Sequence, residues 1–273
     1  MALRSATINV MERAARKAAR GLLRDFGEVE QLQVSRKGPA DFVSNADLKA
    51  ERILRAELER ARPDYGLVME ESGAAKAGDG RHRFIVDPLD GTTNFLHGIP
   101  HFAISIGLER DGEMVAGIVF KPVGDELYWA ERGAGAYVND HRLRVSGRSR
   151  MPDALIATGI PFKGHSDPAP FLATFAVVMP EVAGIRRFGT ASLDLAYVAA
   201  GRFDAFWEFG LKPWDIAAGL LLVREAGGMV SDIDGSRDPL GSGNVLAANV
   251  ELHKPLGEML RATLAAKAPA PAA

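Results

Sequence analysis

The chain has 273 residues, 47% of them hydrophobic and 25% charged, the balance of a folded globular protein rather than a disordered, collagenous or coiled-coil one. That length allows one large domain or two intimate halves with a sizeable core. Cysteine is absent, which excludes disulfides, thiolate metal sites, iron–sulfur clusters and a thiol nucleophile, and a formal net charge of -2 supplies no basic field for nucleic acid.

Arg4, Glu12, Arg13, Arg16, Lys17 and Arg20 interrupt the N-terminal apolar runs, so no signal-peptide core is read there. No stretch reaches the ~18 apolar residues of a membrane span, and a cytoplasmic protein is expected. Residues 3–26 predict an amphipathic helix with Ile8, Met11, Ala15, Ala18 and Leu22 on one face. Ser44 opens a second helix, with capping-box spacing to Asp47 and with Ile53, Leu54, Leu58 and Ala61 on one side; Arg62-Pro63 ends it. Gly66 to Met69 predicts a short strand running into Glu70-Glu71-Ser72, and 74–82 a polar loop. Arg83 to Val86 predicts a strand that ends at Asp87, because Pro88 cannot continue a ladder. Strands over 101–109 and 113–120 are joined at Asp111-Gly112, a hairpin signal, and 126–130 and 135–138 continue the sheet.

The rhythm then changes. Strands near 154–158, 184–188, 203–207, 228–233 and 244–248 alternate with helices near 168–180, 191–200, 214–226 and 251–266, the pattern of a layered α/β unit. The expected organisation is an α+β half over residues 1–145 with a mostly antiparallel sheet, a mixed α/β half over 146–266, and a flexible Ala/Pro tail at 267–273. A site between the halves is expected.

Four acidic segments stand out: Asp47, Glu70-Glu71, the run Asp87-Pro88-Leu89-Asp90-Gly91-Thr92-Thr93-Asn94-Phe95, and Pro213-Trp214-Asp215. Asp87 and Asp90 leave one turn with the Leu89 carbonyl between them, and the Gly91-Thr92-Thr93 amides can start a helix that favours a phosphate. Each segment taken singly reads better as a turn or a solvated strand end. If they meet, two like charges ~4 Å apart cost ~4 kcal/mol at an effective dielectric of ~20, so cations must lie between them. Oxygen ligands without Cys or paired His select hard ions such as Mg²⁺ or Mn²⁺.

With these segments the chain resembles the inositol monophosphatase family of metal-dependent, lithium-sensitive sugar phosphatases, from the first helix to about residue 260. The resemblance rests on Ile85 to Phe95, on Trp214-Asp215-Ile216-Ala217-Ala218-Gly219 running on to Glu225-Ala226-Gly227-Gly228, on Asp41 to Asp47 and on Glu70-Glu71-Ser72. Leu193 to Arg202 is similar to a bacterial branch whose enteric member takes part in transcription antitermination. The resemblance implies an α-β-α-β-α sandwich and a Mg²⁺-dependent phosphomonoesterase of myo-inositol monophosphate or a similar polyol phosphate. Glu70, Asp87 and the Leu89 carbonyl would hold a first Mg²⁺; Asp87, Asp90 and Asp215 a second; a weaker third would lie near Glu70. Thr92, with Asp47 behind it, would orient and help deprotonate water. Gly91 and Thr92 would touch the phosphate, Glu208 with Ala191 nearby would meet substrate hydroxyls, and Lys37 would sit on a mobile loop. A homodimer is implied. Fructose 1,6-bisphosphate, histidinol phosphate, adenosine 3′,5′-bisphosphate and a transcription-machinery or nucleic-acid partner are the alternatives. The segment Thr158 to Lys163 follows the bacterial version, which leaves strict inositol specificity open.

Other signals take structural readings. His97 and His101 are loop histidines, since Gly98 and Pro100 prevent a helix between them. Asp232 to Ser236 is a turn, Trp207 and Trp214 are packing residues, and Arg142, Arg144, Arg148 and Arg150 form a solvated face.

Overall fold

Helix α1 (Ala6–Phe26) opens at Ser5, whose Oγ accepts from the Ile8 amide at 3.2 Å, and every residue assigned to its apolar face is buried. In this computed structural model residues 4–28, 34–38, 41–161 and 167–267 are described, with only the backbone of 34–38, 41–44, 74–76 and 267. The Ala/Pro tail from residue 268 and Phe162-Lys163 therefore lie outside the described residues. Helix α1 packs on α2 (Asn45–Ala61) through Leu54 and Leu58, and a two-stranded hairpin, β1 (Val34–Gly38) with β2 (Asp41–Ser44), precedes α2.

The first sheet contains β3 (Gly66–Met69), β4 (Gly73–Lys76), β5 (His82–Asp90), β6 (Ala103–Arg110), β7 (Glu113–Lys121), β8 (Glu126–Glu131), β9 (Gly135–Val138) and β10 (His141–Arg142), in the order β10-β9-β8-β7-β6-β5-β3-β4. All pairs are antiparallel except β3 with β5. Asp111 and Gly112, at φ 54 and 82, make the expected tight turn between β6 and β7. The second sheet has β11 (Leu155–Thr158), β12 (Gly184–Arg186), β13 (Ala205–Glu208), β14 (Met229–Ser231) and β15 (Val245–Ala248), in the order β12-β11-β13-β15-β14, with β11 parallel to both neighbours. The remaining helices are α3 (Thr92–Leu96), α4 (Pro168–Val178), α5 (Ala191–Ala199), α6 (Pro213–Glu225), α7 (Pro239–Ser242) and α8 (Val250–Lys267).

Helices α1 and α2 cover one face of the first sheet, α5 and α6 lie between the sheets, and α4 and α8 cover the outer face of the second. This is the α-β-α-β-α sandwich, with one sheet mostly antiparallel and the other mixed. The central layer explains the sequence of α5 and α6. Every residue of α5 is buried, so it is apolar all round instead of striped. Helix α6 lies so close to the first sheet that a Cβ at Gly107 would stand 2.9 Å from the Ala217 Cβ, and one at Gly117 3.0 Å from the Ala218 Cα. A Cβ at Gly219 would stand 2.6 Å from the Leu195 Cβ of α5. Ala217-Ala218-Gly219 is thus the contact surface that lets the helix bearing Asp215 approach the sheet whose strand β5 bears Asp87 and Asp90. Among the described residues no helix is long and apolar enough to cross a membrane.

Two local expectations are corrected. Residues 74–76 are not loop but part of β4, which pairs with β3 through Leu67↔Lys76 and Met69↔Gly73; the pairing comes from backbone groups at a sheet edge, which a Gly-Ala-Ala-Lys segment does not advertise. Strand β5 starts at His82, inside the expected loop, and continues past Asp87 to Asp90. Its register with β6 slips from Asp87↔Ser105 to Asp90↔Ala103, a one-residue bulge that holds Pro88 where its missing N–H costs no ladder bond.

One buried network ties together the segments around the second sheet. Asp204, fully buried, accepts from the Leu155 amide at 2.7 Å, from Arg148 Nη1 at 3.1 Å and from the Ser146 hydroxyl. Asn249 Nδ2 donates to Ser146 Oγ and to the Arg148 carbonyl, each at 2.9 Å. Arg148 is therefore a structural partner and not only part of a solvated face. Asp204→Ala strands these donors and is expected to lower the unfolding free energy by about 3 kcal/mol, measured as a drop in the urea midpoint at unchanged slope.

Candidate active site

The bulge in β5 sets the site. Asp87 is buried, and its Oδ1 accepts from the Leu89 amide at 2.8 Å. Three residues on, Asp90 Oδ2 accepts from the Ser192 amide at 2.7 Å. That amide belongs to the first turn of α5, whose own cap residue Thr190 makes no side-chain cap bond. Asp90 therefore supplies the negative charge that a helix start favours, from a strand a hundred residues away in sequence. Glu70 follows β3, the parallel neighbour of β5, and its amide donates to the Val86 carbonyl at 3.2 Å. Asp215 is the third residue of α6, and its Oδ2 accepts from the Lys212 amide at 2.7 Å. This bond back to the cap residue fixes the carboxylate at the end of the helix seated on Gly107 and Gly117.

Gly91 begins α3 at φ 93, where a Cβ would stand 2.5 Å from Thr190 Oγ1, so only glycine fits both the conformation and the space. Thr92 Oγ1 lies 3.0 Å from Asp47 Oδ1 and 3.0 Å from the Leu89 carbonyl. Asp47 is fully buried in the first turn of α2. Asn94 ties the neighbouring loops together, its Nδ2 donating to the carbonyls of His101 at 2.8 Å and Phe188 at 2.7 Å. His97 and His101 occupy loop positions, and the Asp232 to Ser236 segment closes as a turn.

A cavity of about 330 Å³ opens here, walled by Glu70, Asp90, Arg187, Ala191, Glu208 and Asp215 among others. Trp214 also lines it, so this side chain is part of the pocket wall, whereas Trp207 is fully buried in the core as expected. Asp87, Leu89, Gly91, Thr92 and Asp47 are not in that wall; they join it through the β5 bulge and through the field of its carboxylates. Burial, then the charges of Glu70, Asp90 and Asp215, push Asp87 well above the usual carboxylate range. Burial and then Asp90 do the same to Asp215, against the pull of the Lys212 amide. Burial lifts Asp90 to about 6 against the hydrogen bonds of Ser192 and Ala191. Glu208 is pushed up to about 8 by burial and by Asp90, with Arg187 opposing. These effects arise because acids from four separate segments face one space. Among the described residues no three carboxylate or imidazole groups form a ready-made coordination shell; the acids line the space rather than close on a point. Lys37 lies on β1, where only the backbone is described.

The sequence did not disclose Thr190, Ser192, Asp194 or Arg187 as parts of this region, and it gave Asn94 no role within its acidic run. Asp194 is buried at 1% exposure, its Oδ1 has no hydrogen-bond partner, and burial, Glu208 and Asp90 push its pKa well up. The available signal was an aspartate inside the otherwise apolar α5.

A profile of the inositol monophosphatase family matches residues 4–268. An inositol-1-monophosphatase of Mesorhizobium japonicum is 59% identical over 264 residues, 97% of this chain and 99% of that protein. A Nus factor SuhB of Pseudomonas aeruginosa is 46% identical over 253 residues, 91% of this chain and 93% of that protein. The crystal structure of the extragenic suppressor protein suhB from Bartonella henselae superposes with a TM-score of 0.91 at 57% identity, covering 94% of this chain and 99% of that one. A whole-chain match of this kind, on a sandwich that gathers the acidic segments at one cavity, places the chain in the inositol monophosphatase family, a family of metal-dependent phosphomonoesterases.

Proposed function

We propose that the protein is a Mg²⁺-dependent phosphomonoesterase that hydrolyses myo-inositol monophosphate, or a similar small polyol phosphate, to the alcohol and inorganic phosphate. The observation that carries this reading is the convergence of Glu70, Asp87, Asp90 and Asp215 on one space, where the first and the last two add to the charge burden of Asp87. The donor set fits a hard divalent ion: four carboxylates and the Leu89 carbonyl, all oxygen, in a chain without cysteine. Glu70, Asp87 and Leu89 would hold one Mg²⁺ and Asp87, Asp90 and Asp215 another, with a third near Glu70 and Mn²⁺ as a substitute. When bound, such ions activate water and offset charge at the phosphate.

The chain's own groups then have distinct tasks. The Thr92 hydroxyl has one proton to give; donated to Asp47, it leaves an oxygen lone pair free to accept the proton of the attacking water. The Gly91 and Thr92 amides face the phosphate oxygens. Glu208, with Ala191 beside it, accepts from the hydroxyls of the departing polyol, and Lys37, on strand β1 and not on the expected loop, would flank the ions. A cytoplasmic homodimer belongs to the same reading. The similarity to proteins named Nus factor supports a second one, contact with the transcription machinery, which would survive in a variant that has lost hydrolysis.

Phosphate release tests the first. Inositol 1-phosphate, fructose 1,6-bisphosphate, histidinol phosphate and adenosine 3′,5′-bisphosphate are compared with Mg²⁺, with EDTA and with added Li⁺. Release from inositol 1-phosphate that requires Mg²⁺ and falls with Li⁺ is expected. Undiminished release in EDTA, or faster turnover of the bisphosphates, would overturn the metal or the substrate assignment respectively.

A further inference from the structure

Arg187 follows β12 and stands in the wall of the catalytic cavity. Its seat is built by the backbone. Gly189 takes φ 74, and a Cβ there would stand 2.9 Å from Arg187 Nη1, so the guanidinium lies over a residue that has no side chain. Phe188, between them, is pinned on both sides: its ring meets those of His101 and Phe203 at centroid distances of 5.0 and 5.6 Å, and its carbonyl accepts from Asn94 at 2.7 Å. The loop fixes the backbone that carries Arg187, while the guanidinium itself stays exposed at the edge of the cavity.

From there the guanidinium acts on Glu208 and Asp194, opposing the upward push that burial gives both acids. Yet it makes no ion pair within 4.0 Å and no hydrogen bond among the described residues. A guanidinium carries five N–H donors in a rigid plane, and at the edge of this cavity no described residue takes them. Glu208 is seated in a similar way. A Cβ at Gly159 would fall 1.8 Å from the Glu208 Cδ, so that carboxylate lies across a second glycine. One cavity wall therefore presents an acceptor and a donor close enough to feel each other's charge, each lying over a glycine backbone.

We infer that Arg187 is a specificity-determining residue of this site, donating to the hydroxyl oxygens of a cyclic polyol while Glu208 accepts from their protons. Each hydroxyl offers one hydrogen and two lone pairs, so neighbouring hydroxyls satisfy a carboxylate and a guanidinium together. A phosphate ester without hydroxyls satisfies neither. The pair thus selects vicinal-diol phosphates, a preference lodged in the part of the substrate that does not react. This inference rests on the phosphatase reading.

The test compares inositol 1-phosphate with p-nitrophenyl phosphate, which has no hydroxyl for the pair, in wild type, Arg187→Gln and Arg187→Lys. In Arg187→Gln, kcat/KM for inositol 1-phosphate should fall about tenfold further than for p-nitrophenyl phosphate, mostly through KM, the scale of one hydrogen bond from a charged donor. Arg187→Lys should recover part of that difference. Equal losses on both substrates would make Arg187 a structural counter-charge for Asp194 and Glu208 and overturn the inference. No loss on either substrate would overturn it as well. Wild-type protein silent on both substrates would remove the phosphatase reading itself, and this inference with it.

Discussion

Asp90→Asn should lower turnover of inositol 1-phosphate by at least ~10²–10³-fold, the scale of losing one preorganised charge at a reacting centre, and should raise the melting temperature of the EDTA-treated protein. The two effects share one cause. Asp90 adds to the charge burden of Asp87, Asp194, Glu208 and Asp215. Removing its charge relieves four buried acids, and each ~1 kcal/mol so gained raises the melting temperature of a chain this size by about 2–4 °C. Asparagine still offers an oxygen to the Ser192 amide, which Asp90 now holds at 2.7 Å, so the start of α5 keeps its cap. With Mg²⁺ the order should invert, since ion binding to the folded state stabilises wild type by mass action and the variant much less. Calorimetry with EDTA and with Mg²⁺, beside phosphate release, reads both signs. An inactive variant that melts lower in EDTA has simply lost its fold at α5, and then the carboxylates are not held together against their own repulsion.

That strain also accounts for what could be read from the sequence. The amphipathic face of α1, the Asp111-Gly112 hairpin and the alternation of strands and helices after residue 150 are local patterns, and the structure follows them. The acidic segments were equally visible, because a burial-averse residue type at a strand end is conspicuous in one dimension. The rest depends on distant partners. Pro88 argued for the end of a strand, but the β5 bulge absorbs it through a register slip against β6 that no local signal encodes. Gly107 and Gly117 were ordinary strand glycines until α6 was laid across them, and Ala217-Ala218-Gly219 an ordinary helical run until the contact distances gave it a reason. Asn94, Thr190 and Ser192 gain their meaning only where the loop around His101 meets the start of α5. Arg187 followed the same rule: the second of two adjacent arginines, just past a strand end, has no reading until Gly189 and Glu208 lie beside it.

Thr92→Val and Asp47→Asn should each reduce kcat by about 10²-fold, the lower end of what a positioned proton acceptor contributes, with KM little changed. Valine keeps the shape of threonine and removes the oxygen that stands 3.0 Å from both Asp47 Oδ1 and the Leu89 carbonyl. A hydroxyl has one hydrogen and cannot serve both acceptors at once. While Asp47 is ionised it takes that hydrogen, and the Thr92 oxygen turns its lone pairs outward; asparagine at position 47 can no longer draw the proton away. If the two act as one relay, the double variant should lose about as much as either single one, near 10²-fold rather than the ~10⁴-fold of independent contributions, because groups acting as a unit are not additive. Stopped-flow phosphate detection on the four proteins closes the cycle. Multiplying losses would show that Asp47 acts elsewhere than through Thr92, for instance on the helix start where it is buried, and the hydroxyl would then need another acceptor, of which the Leu89 carbonyl is the nearest at hand. Non-additive losses with unchanged melting temperatures would fix the direction of the proton: from water to Thr92, and from Thr92 into the buried first turn of α2.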